Sequence, residues 1–380
     1  MRLLVALTYY RPYTSGLTIY VQRLAAAMTR RGHTVTILTS QYDPSLPERE
    51  TIDGVRIVRA PVLARVNKGV IMPTIGWLAS ALAIQHDAMS LHLPQFDVPG
   101  LALRGRLLRQ PVVLTYHCDL KLAPGLLNRV ANTAVDAANN IGAALSTAIV
   151  TYTQDYADHS PYLSRFRSKV RVIPPPVELP SVSEAEVRGS ARRWNIDGPV
   201  IGMVARLAAE KGVEVLLEAL PRVLESYPNA RVLFAGTYQN VLGEEAYALR
   251  LAPMLEKHRD HWTFMGNLSQ QELAALYPNL DVVVVPSLNS TESFGMVQVE
   301  AMLSGTPAIA SALPGVRQPV HQTGMGEVVP IGDSDALASA IVRVLRNRPQ
   351  YIRPREEIAA RYNTERTAAE YEALFEELRR

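Results

Sequence analysis

A chain of 380 residues is longer than one hydrophobic core usually organises, so two domains of similar size are expected. A hydrophobic share of 48% with 20% charged residues is that of an ordinary globular protein, and a single cysteine, Cys118, excludes an intrachain disulfide and the zinc-ligand spacings. The net charge of +3 is unevenly spread: residues 1–180 hold 19 Lys+Arg against 11 Asp+Glu, and residues 181–380 hold 20 against 25, so the first half favours anionic partners without choosing among phosphates, an acidic membrane face and nucleic acid.

The N-terminus, 2–9, has the pattern of a buried strand and too short an apolar run for a signal peptide, which with the lone cysteine fits the cytoplasm. A loop ending at Gly16 follows, then a helix over about 18–31 with Val21, Leu24, Ala25 and Met28 on one face and a stop at Gly32. Strands at 34–39 and 55–59, near Leu91, and at 112–116 and 149–151 alternate with helices and predict a parallel sheet covered on both sides. The segment from Arg59 to Ile84 mixes Arg59, Arg65 and Lys68 with Val70, Ile71, Trp77 and Leu78. It is expected either to cover the sheet as a helix with exposed bases or to rest on an anionic membrane. The uncharged stretch 69–86 is broken by Pro73 and Gly76 and makes a poor membrane span. Prolines at 174–176 and 180 mark a stiff linker. A second alternation then begins, with strands at 200–205, 231–235, 262–265, 282–285 and 308–310 and helices at 213–224, 244–256 and 270–276. The expected domains are therefore 1–179 and 180–362. Open parallel sheets bind ligands at the carboxyl ends of their strands, which makes a cleft between two such domains the expected site.

Candidate chemistry concentrates at those strand ends. The run 281–286 is a strand buried on both faces; a polar loop holding Glu292, Ser293, Phe294 and Gly295 follows, and then a helix that includes Met296 and Glu300 and stops at Gly305 and Pro307. The bare amides of a first helical turn seat a phosphate, and a carboxylate on either side accepts hydrogen bonds from hydroxyls, a pairing suited to a sugar nucleotide; an ordinary surface helix with acids near its start fits the same residues. Arg206 and Lys211, between a strand and a helix, offer a planar fork and a mobile point charge to a diphosphate, or are solvated cations. Gly16 leaves room for a phosphate or simply makes a turn, and the dinucleotide fingerprint Gly-x-Gly-x-x-Gly is missing around it. His117, at a strand end, donates a hydrogen bond or shuttles a proton, or is structural. Asp333 and Asp335 have a metal-ligand spacing but open a helix, so Asp333 is expected to be an N-cap. No nucleic-acid motif is present.

Taken together, Ser15-Gly16, Arg30-Arg-Gly-His33, His117, Arg206, Glu210-Lys211-Gly212, Pro286-Ser287, Glu292-Ser-Phe-Gly295, Glu300-Ala-Met and Gly305-Thr-Pro307 resemble the retaining glycosyltransferases of family 4 over nearly the whole chain. The resemblance implies an α/β protein of GT-B architecture: two facing Rossmann-like domains with parallel sheets, an interdomain cleft, and a last helix within 363–380 crossing back to the first domain. It implies transfer of a hexose from a UDP- or GDP-sugar to an acceptor hydroxyl of a sugar, lipid or small molecule, with retention and with no cofactor or metal. By the same resemblance Glu300 would bind the ribose, Glu292 the donor sugar, and the amides of Phe294, Gly295 and Met296 the sugar and phosphate. Arg206 and Lys211 would carry the diphosphate, Gly16 would let its loop approach it, and His117 would touch the sugar. The sequence departs from the family at Ser15, where paired glycines are usual, and at Pro174-Pro-Pro176-Val-Glu178, where the hinge usually has Pro-Asn-Gly-Val-Asp. A nucleotide-sugar epimerase of the same fold, a non-catalytic nucleotide-sugar binder and a membrane-surface partner protein remain as alternatives.

Overall fold

The computed structural model describes residues 1–66, 69–119 and 126–379. They form two compact units, Met1–Pro176 together with Asn363–Arg380, and Val177–Tyr362.

In the first unit the strands are β1 (Arg2–Ala6), β2 (Thr34–Gln41), β3 (Arg49–Ile52), β4 (Val55–Pro61), β5 (Ala64–Val66), β6 (Gly69–Ile71), β7 (Ala88–Leu93), β8 (Val112–Tyr116), β9 (Ala148–Thr151) and β10 (Val170–Val172). Eight of them make one sheet in the order β10-β9-β8-β7-β1-β2-β4-β3, and β5 and β6 pair as a separate hairpin. All neighbours in the large sheet run parallel except β3 against β4. The strands flanking β1 on its two sides, β2 and β7, make this the point where the strand order reverses, and the carboxyl ends there are where such sheets present ligand-binding loops. Helix Gly16–Arg30 follows β1. Its N-cap is Ser15, whose hydroxyl accepts the Thr18 amide, so Gly16 is the first helical residue rather than a loop glycine.

The segment 59–84 is not the covering helix with exposed bases that was one reading of it. Arg59 lies inside β4, with its side chain buried and its guanidinium donating to Pro47 O at 2.8 Å and Arg11 O at 3.0 Å while pairing with Glu50. A buried arginine needs such partners, and none of them is near it in sequence, which is why an exposed base was expected. Helix occupies only Ile75–Ala83; Val70 is buried, Arg65 and Ile71 are exposed on the hairpin, and Lys68 lies outside the described residues.

The second unit carries β11 (Val200–Val204), β12 (Arg231–Ala235), β13 (Trp262–Gly266), β14 (Val282–Val285), β15 (Ala308–Ser311) and β16 (Gly326–Val329), all parallel, in the order β13-β12-β11-β14-β15-β16. The order reverses between β11 and β14, which pair directly. One face of the sheet packs Val282 and Val284 with Ile201 and Ile309 against Leu216, Leu220, Leu337 and Ile341 of two covering helices. Strand β16 and helix Glu184–Arg193 were not anticipated: the first is opened by Gly-Glu, and the second buries none of its residues.

Candidate active site

The second unit gathers its candidate residues where the sheet reverses. The chain leaves β11 into 205–212 and leaves β14 into 286–295, and the two loops are tied together by the Leu288 amide donating to Glu210 O at 2.9 Å. Gly212 has φ 66°, and a Cβ there would stand 2.1 Å from Pro286 O, so only glycine lets the loops close to this distance. The closure brings Lys211 Nζ to 2.6 Å from Glu292 Oε2, with both side chains about one-fifth exposed. Arg206 Nη2 lies 2.7 Å from Glu210 Oε1. The two cations expected to face an anion are thus each held in an ion pair, with Glu210 and Glu292.

Glu292 also accepts the Gly295 amide through Oε1 at 3.0 Å, joining the lysine to the start of helix Met296–Leu303. Its carboxylate is therefore a bridge between a cation and a helix-entry amide. Gly295 itself, at φ 73° and ψ 67°, turns the chain into that helix. Phe294 is buried, with its ring edge-on to Tyr362 at 5.6 Å. Glu300 is only 3% exposed and accepts the buried Tyr277 hydroxyl at 3.0 Å, so it lies deeper than the Glu292 carboxylate. Gln298, which sequence reasoning passed over, fixes the bend: its Nε2 donates to Phe294 O at 2.6 Å and to Val316 O at 2.9 Å. A lone amide on the apolar face of a short helix was the available signal.

Gly16 and His117 belong to the first unit. Gly16 is exposed at the head of its helix. His117 follows β8 and is buried among side chains from neighbouring strand ends: its Nε2 lies 2.9 Å from Nδ1 of His92 on β7, and its Nδ1 meets the hydroxyl of Tyr152, just past β9. Burial pushes His92 down to about 3, and burial together with His92 holds His117 well below the usual histidine range, so both rings are neutral. Sequence reasoning missed His92 and Tyr152; the clue was a polar side chain at the carboxyl end of each of three consecutive parallel strands. Asp333 is an N-cap as expected, accepting the Ala336 amide at 2.8 Å, and Asp335 pairs with Arg222. Among the described residues no group of three His, Cys, Asp or Glu side chains is placed to hold a metal ion.

Residues 190–361 match the family model described as Glycosyl transferases group 1, and residues 15–176 match the Glycosyl transferase 4-like domain. The chain belongs to the family 4 glycosyltransferases. This glycosyltransferase is 28% identical over 388 residues to a phosphatidyl-myo-inositol mannosyltransferase of Mycobacterium leprae, covering 99% of this chain and 96% of the relative. It is 30% identical over 246 residues to a D-inositol 3-phosphate glycosyltransferase of Corynebacterium urealyticum, covering 60% of this chain and 56% of that one. Its fold, the GT-B α/β architecture, is that of Anabaena Alr3699/HepE solved in complex with UDP-glucose, with a TM-score of 0.78 at 16% identity over 99% of this chain and 100% of that one. No helix among the described residues of the glycosyltransferase is long and apolar enough to cross a membrane.

Proposed function

We propose that this glycosyltransferase moves a hexose from a UDP- or GDP-sugar to an acceptor hydroxyl with retention of the anomeric configuration, and without a metal. The observation that carries the reading is the continuous chain Lys211–Glu292–Gly295 at the carboxyl ends of the two strands flanking the reversal of the second sheet. A diphosphate entering there exchanges the Glu292 carboxylate for its own oxygens on Lys211, with Arg206 beside it. The Glu292 carboxylate, released from the lysine, then accepts hydroxyls of the donor sugar while the amides of Phe294, Gly295 and Met296 meet sugar and phosphate. Glu300 takes the ribose hydroxyls. In the first unit, Gly16 is proposed to admit a phosphate and His117 to touch the sugar.

In the chemical step the bond between the anomeric carbon and the diphosphate oxygen breaks, the acceptor oxygen bonds to that carbon from the same face, and the acceptor proton passes to the leaving diphosphate. Negative charge grows on the diphosphate, so fixed cations at Arg206 and Lys211 lower the barrier and supply what a divalent ion would otherwise supply. The inositol-directed names of the relatives make an inositol-bearing lipid or sugar the first acceptor to test.

The same protein is proposed to work at the inner face of the membrane. Helices Ile75–Ala83 and Val98–Leu107 pack together through Arg104 Nε donating to Ser80 Oγ at 2.8 Å, contain no acidic residue, and expose Trp77, Leu103 and Leu107 beside Arg106. Such a basic and apolar face suits an anionic bilayer, and flotation with anionic vesicles at low and high salt checks it.

The deciding assay is incubation of purified protein with a panel of UDP- and GDP-hexoses, with and without acceptor, in the presence of a chelator. Nucleotide release that requires acceptor, with product of unchanged anomeric configuration by NMR, supports the reading. A changed donor with no acceptor present would make the protein an epimerase, and donor-induced thermal stabilisation without nucleotide release would make it a binding protein.

A further inference from the structure

We propose that His92 is a positioning residue that fixes the tautomer and orientation of the His117 ring. The proposal rests on the reading above, in which His117 serves the donor sugar. His92 projects from the middle of the first sheet with no exposed surface, a place where a second strand would ordinarily carry a leucine or valine. An imidazole there loses its hydration, which is costly unless both nitrogens find partners. They do: Nδ1 meets His117 Nε2 at 2.9 Å and Nε2 meets Ser90 Oγ at 3.3 Å.

A contact between two neutral imidazole nitrogens at this distance needs one to carry the proton and the other to be bare. Which nitrogen of His117 is protonated is therefore coupled to which nitrogen of His92 is protonated. Both rings are kept neutral by burial, so protonating one does not release the coupling in the ordinary pH range. The His117 ring is held on its remaining sides as well. The Tyr152 hydroxyl sits at Nδ1, and Tyr20 stands edge-on to the ring at 5.0 Å while stacking on Tyr152 at 5.4 Å. The Tyr20 hydroxyl is in turn held at 2.8 Å by Tyr371, whose hydroxyl also reaches Thr115 at 2.8 Å. His92 is the member of this set that holds the nitrogen of His117 on the opposite side of the ring from Tyr152. A hydrogen-bonding group whose own ring must be correctly protonated gains from such a partner, as catalytic and metal-binding imidazoles do.

The test uses the full chain labelled with 15N-histidine, comparing wild type with His92→Phe, His92→Gln and Tyr152→Phe. Long-range proton–nitrogen spectra read the His117 tautomer directly, and transfer kinetics are measured in parallel. His117 is expected in one neutral tautomer in the wild type and in a different population in His92→Phe. In that variant kcat should fall roughly 10- to 100-fold, with the donor KM within about threefold of wild type. His92→Gln, which keeps a donor and an acceptor in the same place, should recover most of that loss. An unchanged His117 tautomer in His92→Phe, or wild-type kcat in it, overturns the proposal. If His92→Phe does not fold, His92→Leu, which likewise removes the partner of His117 Nε2, takes its place, and a wild-type His117 tautomer in it overturns the proposal equally. A wild-type protein that transfers no sugar sinks the functional reading instead, and the tautomer spectra then decide the His92–His117 coupling alone.

Discussion

Lys211 and Glu292 stand 81 positions apart in the chain yet 2.6 Å apart in space, and the exchange of this pair for a diphosphate is the central step of the proposed donor binding. Lys211→Ala should leave the fold intact, because the lysine is partly exposed and its partner Glu292 keeps the Gly295 amide and access to water. It is expected to lower kcat/KM about 100- to 1,000-fold, the usual loss when one fixed donor to developing charge is removed. Wild-type turnover in this variant would remove Lys211 from the mechanism. A second prediction concerns the two neutral histidines. In the unfolded chain His92 and His117 titrate near 6.5, whereas in the fold both values are depressed, so the unfolded state binds more protons below that pH. Stability is therefore full above about pH 6.5 and falls as the pH drops, with each histidine contributing a slope of about 1.4 kcal/mol per pH unit. Denaturation midpoints measured from pH 7.5 to 5 check the sign; a stability that rises on acidification contradicts the neutral assignment.

The loop following β11 owes its shape to one glycine. Gly212→Ala adds a methyl 2.1 Å from Pro286 O at a positive φ and should destabilise the second unit by about 1–3 kcal/mol while weakening donor-induced stabilisation. Gly189 is the contrast: it lies inside helix Glu184–Arg193 with nothing within 4 Å of where a Cβ would stand. Gly189→Ala is expected to stabilise by about 0.5–1 kcal/mol with donor response unchanged. Thermal melts with and without a UDP- or GDP-hexose separate the two effects. The helix Thr364–Arg379 works at the same scale in the first unit, where Tyr371 and Phe375 are buried, Glu365 pairs with Arg30 at the end of helix Gly16–Arg30, and Glu372 pairs with its C-cap Arg31. Phe375→Ala should cost about 3–5 kcal/mol through the cavity it leaves.

For the whole molecule, that last cost falls on the unit formed by Met1–Pro176 with Asn363–Arg380, so donor-induced stabilisation of the Val177–Tyr362 unit should survive Phe375→Ala. Loss of the donor response together with stability would show that the two units do not melt separately. The α/β class was legible in the chain because short β-branched runs such as 282–285, buried on both faces, alternate with helical patterns such as 213–224, and that alternation admits few arrangements other than parallel sheets. Local chemistry was legible too: Gly295 before Met296 predicted a helix start, and Asp333 predicted a cap. The sequence could not show that Arg59 is an interior side chain, because the Pro47, Arg11 and Glu50 groups that satisfy it come from other segments. Nor could it show that Lys211 is paired with Glu292, or that His92, His117 and Tyr152 converge from three strands. Periodicity and capping act over a few residues and are written in the chain, so the sequence by itself determined the fold class and most elements, though not β16 or helix Glu184–Arg193. Strand order and register decide which distant side chains become neighbours, and only the tertiary structure supplied those.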